Sequence, residues 1–230
     1  MTAKPRTRPT RNTAARPTGE VVAIPSTLWP TGPDPLDPGH RWPAPILTRA
    51  VEEFCPPGGR VSLLNRHAPA TRGELRAVHA DTTAAYTLIE SLGHPTDPAP
   101  HTGTAPGAGP VGAGSVDLVV VSLLADHLDP VTTAEHTVSQ AVSRLAVGGV
   151  LVVLGRCRHS RTGVLLDPAG PVVAAAQAAD LLYLQHVIAA PVTEDTITRT
   201  ASADPPDGPA RHVVAHIDVF AFLLPHTTQD

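Results

Sequence analysis

Residues 116–122 read Val-Asp-Leu-Val-Val-Val-Ser, a nearly continuous run of branched apolar side chains. Such a run predicts a strand that is buried on both faces, because a half-exposed strand would alternate apolar and polar residues. A second run of this kind occupies residues 150–154, after a helical pattern over 132–147 that Gly148-Gly149 is expected to end. Buried strands separated by a helix predict a parallel sheet that is covered by helices on both sides.

The rest of the pattern extends this alternation in both directions. Periodicity and helix-stopping residues predict further helices over 46–54, 75–92 and 171–180, and further strands over 60–64, 181–190 and 213–224. No helix is predicted between the last two strands, so they are expected to pair directly. The predicted fold class is therefore α/β, a doubly wound and mostly parallel sheet with an antiparallel C-terminal edge.

The chain is expected to contain one domain between less regular segments. Residues 1–40 are rich in Pro, Thr and Arg and predict a basic, Pro-rich arm that is extended or disordered, with a short strand at 20–24. The domain is predicted over 41–225, with a mobile Pro/Gly/Ala linker at 95–115 and a tail at 226–230.

Composition excludes several classes of protein. No stretch of the 230 residues approaches the roughly 18 to 20 apolar residues that span a bilayer, so no membrane partner is expected. The first 16 residues carry five basic side chains but no apolar segment follows them, which argues against a secretion signal. The only two cysteines, Cys55 and Cys157, lie far apart and predict reduced thiols in a cytoplasmic protein.

Four segments resemble one known family. They are Ser26-Thr27-Leu28-Trp29-Pro30-Thr31, Trp42-Pro43-Ala44-Pro45-Ile46-Leu47, Asp117-Leu118-Val119-Val120-Val121-Ser122 and Leu145-Ala146-Val147-Gly148-Gly149-Val150-Leu151-Val152-Val153-Leu154. With the order of elements, they are similar to class I S-adenosylmethionine-dependent methyltransferases. The nearest likeness is to amino-methylating DNA methyltransferases and their RNA-modifying relatives, which are common in actinobacteria. Over residues 26 to 225 the resemblance implies a methyltransferase-like Rossmann fold, an antiparallel last strand and S-adenosylmethionine as cofactor.

The resemblance also implies where the cofactor would bind. Trp42 and Pro43 stand in the segment that lies beside the cofactor in the family. Asn65 stands where the family has an acidic residue followed by a Gly-rich loop, but here His67-Ala68-Pro69 follows. Glycine is needed where a backbone approaches a ligand closely, and proline removes an N–H donor. Two expectations for S-adenosylmethionine therefore stay open, that it binds and that its binding has been lost.

The sequence at the position of the family's catalytic motif also departs from the family pattern. The resemblance implies a small polar residue, two prolines and an aromatic there, and the chain has Ser122 followed by Leu-Leu-Ala. Asp126 and His127, with Asp129, come next and are candidates for binding a polar ligand or for acid–base catalysis, since a carboxylate beside an imidazole tunes its proton affinity. The same residues also fit the loop that ordinarily precedes a helix.

Two acids near the missing second strand of the family are interpreted as solvated surface charges, namely Asp81 and Asp97, since neither follows a predicted strand. Two function hypotheses remain open. The chain is either a catalytically impaired, noncatalytic (pseudoenzyme) relative that acts as a binding or scaffold module, or an active methyltransferase on a nucleic-acid or other substrate.

The remaining polar clusters are weaker signals. Arg156, Arg158 and Arg161 follow a predicted central strand, where they could contact phosphate or a carboxylate, although a solvated loop is the favoured interpretation. Together with the basic arm they leave nucleic acid as a candidate partner. The neighbouring arginines would lower the pKa of Cys157, but no base is identifiable in the sequence, so no nucleophile role is predicted for it.

The twelve histidines show no metal-ligand spacing on a predicted helix, so no metal is expected. His186 is interpreted as a hydrogen-bonded core histidine, and His212 and His216 are expected to share one face of a strand.

Overall fold

The computed structural model describes residues 27–37, 40–65, 72–97, 114–124, 130–160, 162–194, 196–197 and 216–226. Its helices are α1 (Ala44–Phe54), α2 (Arg72–Ser91), α3 (Pro130–Val142) and α4 (Ala169–Ala178). Its strands are β1 (Leu28–Pro30), β2 (Val61–Asn65), β3 (Val116–Ser122), β4 (Leu145–Gly155), β5 (Arg158–His159), β6 (Leu165–Leu166), β7 (Leu182–Ala190), β8 (Val192–Thr193), β9 (Thr196–Ile197) and β10 (Ile217–Leu223). Among these residues, no helix combines the length and the apolar character needed to cross a membrane.

The main sheet of the described residues has six strands in the order β1-β7-β10-β4-β3-β2. Strands β2, β3 and β4 run parallel to one another, and β10 pairs antiparallel with both β4 and β7. The predicted α/β class, with a mostly parallel Rossmann-like sheet and an antiparallel last strand, is confirmed.

The predicted position of the antiparallel strand at the edge of the sheet is wrong. β10 lies between β4 and β7, and β1 lies outside β7. The reason is burial: Ile217–Phe222 is buried at every position, and a strand with no polar face is most stable between two neighbours.

Helices cover the sheet on both faces, because successive residues of a strand point to opposite sides. Leu118 and Val120 of β3 share one apolar cluster with residues of α1 and α2, whereas Val119 and Val121 share another with residues of α3 and α4. The predicted doubly wound arrangement therefore follows from the alternating sides of one fully apolar strand.

One predicted boundary is wrong: α3 ends at Val142, and β4 already begins at Leu145, before the glycine pair. Leu145 pairs with Val116 at the start of β3. A Cβ on Gly149 would lie 3.0 Å from the Val116 carbonyl oxygen, and Gly148 has a φ of +82°. The glycine pair thus permits a close approach of β4 to β3 and does not end a helix.

The predicted arm, residues 1–40, contains a strand of the main sheet. Leu28–Pro30 forms β1, which pairs parallel with the end of β7. Trp29 is 1% exposed, and its ring centroid lies 6.1 Å from that of Phe54. Residues 1–26 with the predicted strand at 20–24, residues 98–113 of the predicted linker, and residues 227–230 lie outside the described residues.

We expect Trp29→Ala to lower the free energy of unfolding by about 3 to 5 kcal/mol, the usual loss when a large aromatic side chain is removed from a core. Leu28→Ala is the matched control, because Leu28 belongs to the same strand but is 37% exposed. It should cost about 1 kcal/mol or less. Urea unfolding of both variants measures the difference, and equal losses would show that β1 is not anchored through Trp29.

Candidate functional site

The carboxyl ends of the parallel strands meet at one edge of the sheet, where α/β proteins commonly bind ligands. Asn65 and Ser122, two residues singled out by the resemblance, are direct partners in the parallel register of β2 and β3. The structure therefore brings these two backbone positions together at this edge. Asp126, His127 and Asp129 lie outside the described residues, so their predicted role stays a prediction.

Residues 41–43, which we call the strap, lie against this edge. The Ser122 hydroxyl donates a hydrogen bond to the Arg41 carbonyl oxygen at 2.8 Å, and Ser122 is 2% exposed. The strap is also tied to α2, since the Arg41 amide donates to Asp81 Oδ2 at 2.9 Å and Trp42 Nε1 donates to Thr82 Oγ1 at 3.1 Å. The strap therefore connects β3 to α2 across the end of the sheet.

The two strap residues predicted to bind a cofactor are part of the packed interior. Trp42 is 4% exposed and belongs to the apolar cluster beneath α1 and α2. Pro43 is buried, and its carbonyl oxygen accepts the first amide hydrogen bonds of α1, from Ile46 and Leu47. These contacts hold the start of α1 in place.

The two acids predicted to be solvated surface charges have structural partners instead. Asp81 accepts the hydrogen bond from the Arg41 amide described above. Asp97 is 4% exposed and lies 3.5 Å from Arg144 Nη1, and its amide donates to the Val61 carbonyl oxygen. Val61 is the first residue of β2, so Asp97 lies at the opposite end of that strand from Asn65.

S-adenosylmethionine would need polar partners for its carboxylate, amine, sulfonium and ribose groups. In the described part of this edge, the Ser122 hydroxyl already has a partner, and Leu123 and Leu124 after it are 3% and 2% exposed. The Leu123 amide also donates to the Leu154 carbonyl oxygen, which fixes this turn against β4. Leu123 and Leu124 thus supply no polar side chain to such a ligand, and the proton of the Ser122 hydroxyl is already engaged.

A second polar group lies farther along the same edge. Because β10 is antiparallel, its first residues lie beside the last residues of β4 and β7, and Asp218 pairs with Gly155 and Ile188. His186 Nε2 lies 2.8 Å from Asp218 Oδ1, and His216 Nε2 lies 3.5 Å from the same oxygen.

Burial and hydrogen bonding shift the pKa of Asp218 in opposite directions. Burial alone would raise the pKa of Asp218, but hydrogen bonds from His216 and His186 bring that pKa below its ordinary value. The hydrogen bond to Asp218 in turn raises the pKa of His216. The predicted hydrogen bond of His186 is confirmed, whereas its predicted burial is wrong, since its side chain is 36% exposed.

The sequence analysis missed Asp218, although a signal was present. Asp218 is the only acid in the apolar strand Ile217–Leu223, and His216 stands two positions before it, on the same side of an extended chain. His212, which was expected to share that side, lies outside the described residues.

The lowering of the Cys157 pKa that the neighbouring arginines suggest is wrong. Burial raises the pKa of Cys157 to about 11, and the negative charges of Asp167 and Asp218 add to the rise. Cys157 is therefore a neutral thiol and not an activated nucleophile. Arg156 and Arg158 are half-buried after β4, and Arg161 lies outside the described residues.

Comparison with solved structures gives remote likenesses. The chain is similar to a geranyl diphosphate methyltransferase in complex with SAM, with TM-score 0.45 and 14% identity over 80% of this chain and 86% of that one. It is similar to the geranyl diphosphate C-methyltransferase of Streptomyces coelicolor A3(2), with TM-score 0.43 and 14% identity over 79% of this chain and 77% of that one. It is also similar to the N-methyltransferase NodS of Bradyrhizobium japonicum WM9, with TM-score 0.42 and 17% identity over 83% of this chain and 98% of that one.

These solved structures are methyltransferases. At such TM-scores and identities the likeness is too remote to carry a function to this chain. No family model and no curated protein matches the sequence.

We expect Thr82→Val to destabilise the protein by about 1 to 3 kcal/mol, because it leaves the buried Trp42 N–H without its acceptor. Thr87→Val is the matched control: Thr87 is an exposed residue of the same helix whose hydroxyl donates only to a backbone carbonyl. It should change stability by no more than about 0.5 kcal/mol. Urea unfolding compares the two, and an unchanged midpoint for Thr82→Val would show that the strap does not depend on this contact.

Proposed function

We propose that the chain is a methyltransferase-like domain that does not transfer methyl groups through its Ser122 end and instead acts as a binding module. The observation that carries the proposal is the hydrogen bond from the buried Ser122 hydroxyl to the Arg41 carbonyl oxygen. A residue that receives a proton or a hydrogen bond from a target amine must come within about 2.6 to 3.2 Å of it. Ser122 is covered by the strap and does not offer that access.

The arrangement of the strands supports the methyltransferase-like part of the proposal. The resemblance implies a parallel sheet that ends with an antiparallel last strand, and β10 is antiparallel to both of its neighbours. The residues buried at the carboxyl edge of the sheet support the part of the proposal that the domain is noncatalytic. Trp42 and Leu124 belong to the core there, at positions where an enzyme would need an open pocket.

We infer that the bound partner is a nucleic acid. Arg156 and Arg158 follow β4 at the edge where α/β proteins bind ligands, and arginine is suited to phosphate because its planar guanidinium forms paired hydrogen bonds. Five basic residues in the first 16 positions add positive charge, although the whole chain has a net charge of −4. Binding is therefore expected to be local to these basic groups and sensitive to salt.

Calorimetric titration with S-adenosylmethionine tests the noncatalytic part. We expect no heat of binding at about millimolar ligand, because missing partners for a charged cofactor cost about 1 to 3 kcal/mol each. S-adenosylhomocysteine is the second ligand, and cooperative thermal unfolding in the same buffer shows that the protein is folded. Micromolar binding together with transfer of a labelled methyl group to DNA or RNA would establish the alternative, an active methyltransferase.

Fluorescence anisotropy with labelled DNA and RNA oligonucleotides tests the partner. We expect the double variant Arg156→Gln/Arg158→Gln to bind more weakly, with a salt dependence of log K that is shallower by about 0.9 for each phosphate contact removed. Arg49→Gln is the control, since Arg49 lies on α1 and pairs with Glu53 at 2.8 Å. An absence of binding at low salt, or equal affinities for the double variant and the control, would contradict the proposed partner.

A further inference from the structure

Strand β7 has a long partner strand on one side and a short one on the other. β10 pairs with it from Leu182 to Ala189, whereas β1 pairs only with its last three residues, from Ile188 to Ala190. Among the described residues, no strand pairs with residues 182–187 on the side that faces away from β10. We call this side of residues 182–187 the open edge.

The open edge begins with three consecutive large apolar side chains that are exposed. Leu182, Tyr183 and Leu184 are 52%, 42% and 47% exposed. Leu182 and Tyr183 point to opposite sides of the sheet, because successive side chains of a strand alternate, so both sides are exposed here. An unpaired edge with apolar side chains is a template for a further strand, and proteins usually cover such an edge. The open edge therefore has the character of a docking surface for an extended segment.

The path of the chain leads residues before β1 to this edge. The hydrogen bonds between β1 and β7 already include Thr27, whose carbonyl oxygen accepts from the Ile188 amide at 2.7 Å, and the described part of the chain begins at Thr27. Because the two strands are parallel and Leu28 is opposite Ile188, each step back from Leu28 is one step back along β7. A continued strand would place Pro25 opposite Gln185 and residues 22–24 beside the exposed apolar side chains.

The sequence of this segment fits an outer strand. Residues 20–24 read Glu-Val-Val-Ala-Ile, and valine and isoleucine are favoured in strands. Pro25 has no N–H to donate, which restricts proline to edge strands and bulges. Both conditions hold at its place in the register, since the segment would be the outermost strand there and the pairing of β7 with β10 shifts next to Gln185.

We propose that the open edge is a strand-docking surface and that its occupant is the segment 20–26 of the same chain, which continues β1 in parallel along β7. Val22 and Ile24 then cover exposed apolar side chains of β7, and the segment supplies hydrogen bonds to the open edge. The docking is independent of the proposed function, since neither Ser122 nor the strap takes part in it.

Thermal unfolding of the full chain tests the occupant. We expect Val22→Asp/Ile24→Asp to lower the Tm by about 4 to 8 °C, because charged side chains cannot replace the apolar contacts with β7. Thr10→Asp/Thr13→Asp is the matched control, since it adds the same charge to the same arm outside the segment. It should change the Tm by no more than about 1 °C. Equal Tm values for the two double variants would overturn the proposal.

Hydrogen exchange of the unmodified protein gives a local test that does not require a variant to fold. Backbone N–H groups of successive strand residues point to opposite edges, so the His186 amide faces the same side as the Ile188 amide, and the Val187 amide faces β10. We expect the His186 amide to be protected in the unmodified protein and to exchange at least about tenfold faster in Val22→Asp/Ile24→Asp, while Val187 stays protected in both. A His186 amide that is unprotected in the unmodified protein would contradict the docking.

Cross-linking distinguishes a segment of the same chain from that of a second copy. Pro25→Cys/Gln185→Cys places one thiol on each side of the proposed pair, and Asn12→Cys/Gln185→Cys is the control. After mild oxidation, we expect non-reducing electrophoresis and peptide mapping to show a disulfide between positions 25 and 185 within one molecule, and none between 12 and 185. A disulfide that joins two molecules, or equal yields for the two pairs, would overturn docking of the segment on its own chain.

Discussion

The burial of β3 on both faces is the constraint on which the rest of the structure depends. Leu118 through Val121 are at most 1% exposed, so the strand has no face that water can cover. Such a strand is stable only in the interior of a sheet, paired on both sides and covered by helices above and below. Its neighbours β2 and β4 run parallel to it, and their carboxyl ends consequently meet at one edge. The strap lies at that edge, and so does the polar group formed by Asp218, His186 and His216.

Local patterns predicted the elements whose burial repeats along the chain, and failed where burial depends on distant pairing. The apolar run of β3 and the stripe of α1 are both evident from periodicity alone. Trp29 has no such signal, because it stands in a Pro-rich segment and its burial depends on distant residues, through the pairing of β1 with β7 and the contact with Phe54. The end of α3 was missed since Leu145 continues the apolar stripe of the helix, and only its pairing with Val116 places it in β4.

The candidate site was predictable to a similar extent. The resemblance indicated Ser122 and Asn65, and the register of β2 and β3 does bring them together. The strap was not predictable, because Asp81 and Thr82 come from a helix whose sequence carries no sign that it contacts residues 41 and 42. Asp218 could have been found, since a charged residue within an apolar strand must have a partner, and two histidines were available on that side of the sheet.

The two ends of this edge of the sheet differ in how deeply their polar groups are buried. Opening the strap would break three hydrogen bonds and uncover Trp42, and each buried polar group left without a partner costs about 1 to 3 kcal/mol. A ligand that requires an open strap therefore binds with an affinity reduced by the fraction of molecules in that state. Around Asp218, by contrast, the His186 and His216 side chains are 36% and 40% exposed, so polar groups of this end of the edge face the solvent. The contacts of the strap thus stabilise the β2–β3 end of this edge, whereas the polar side chains at the β4–β10 end are more exposed.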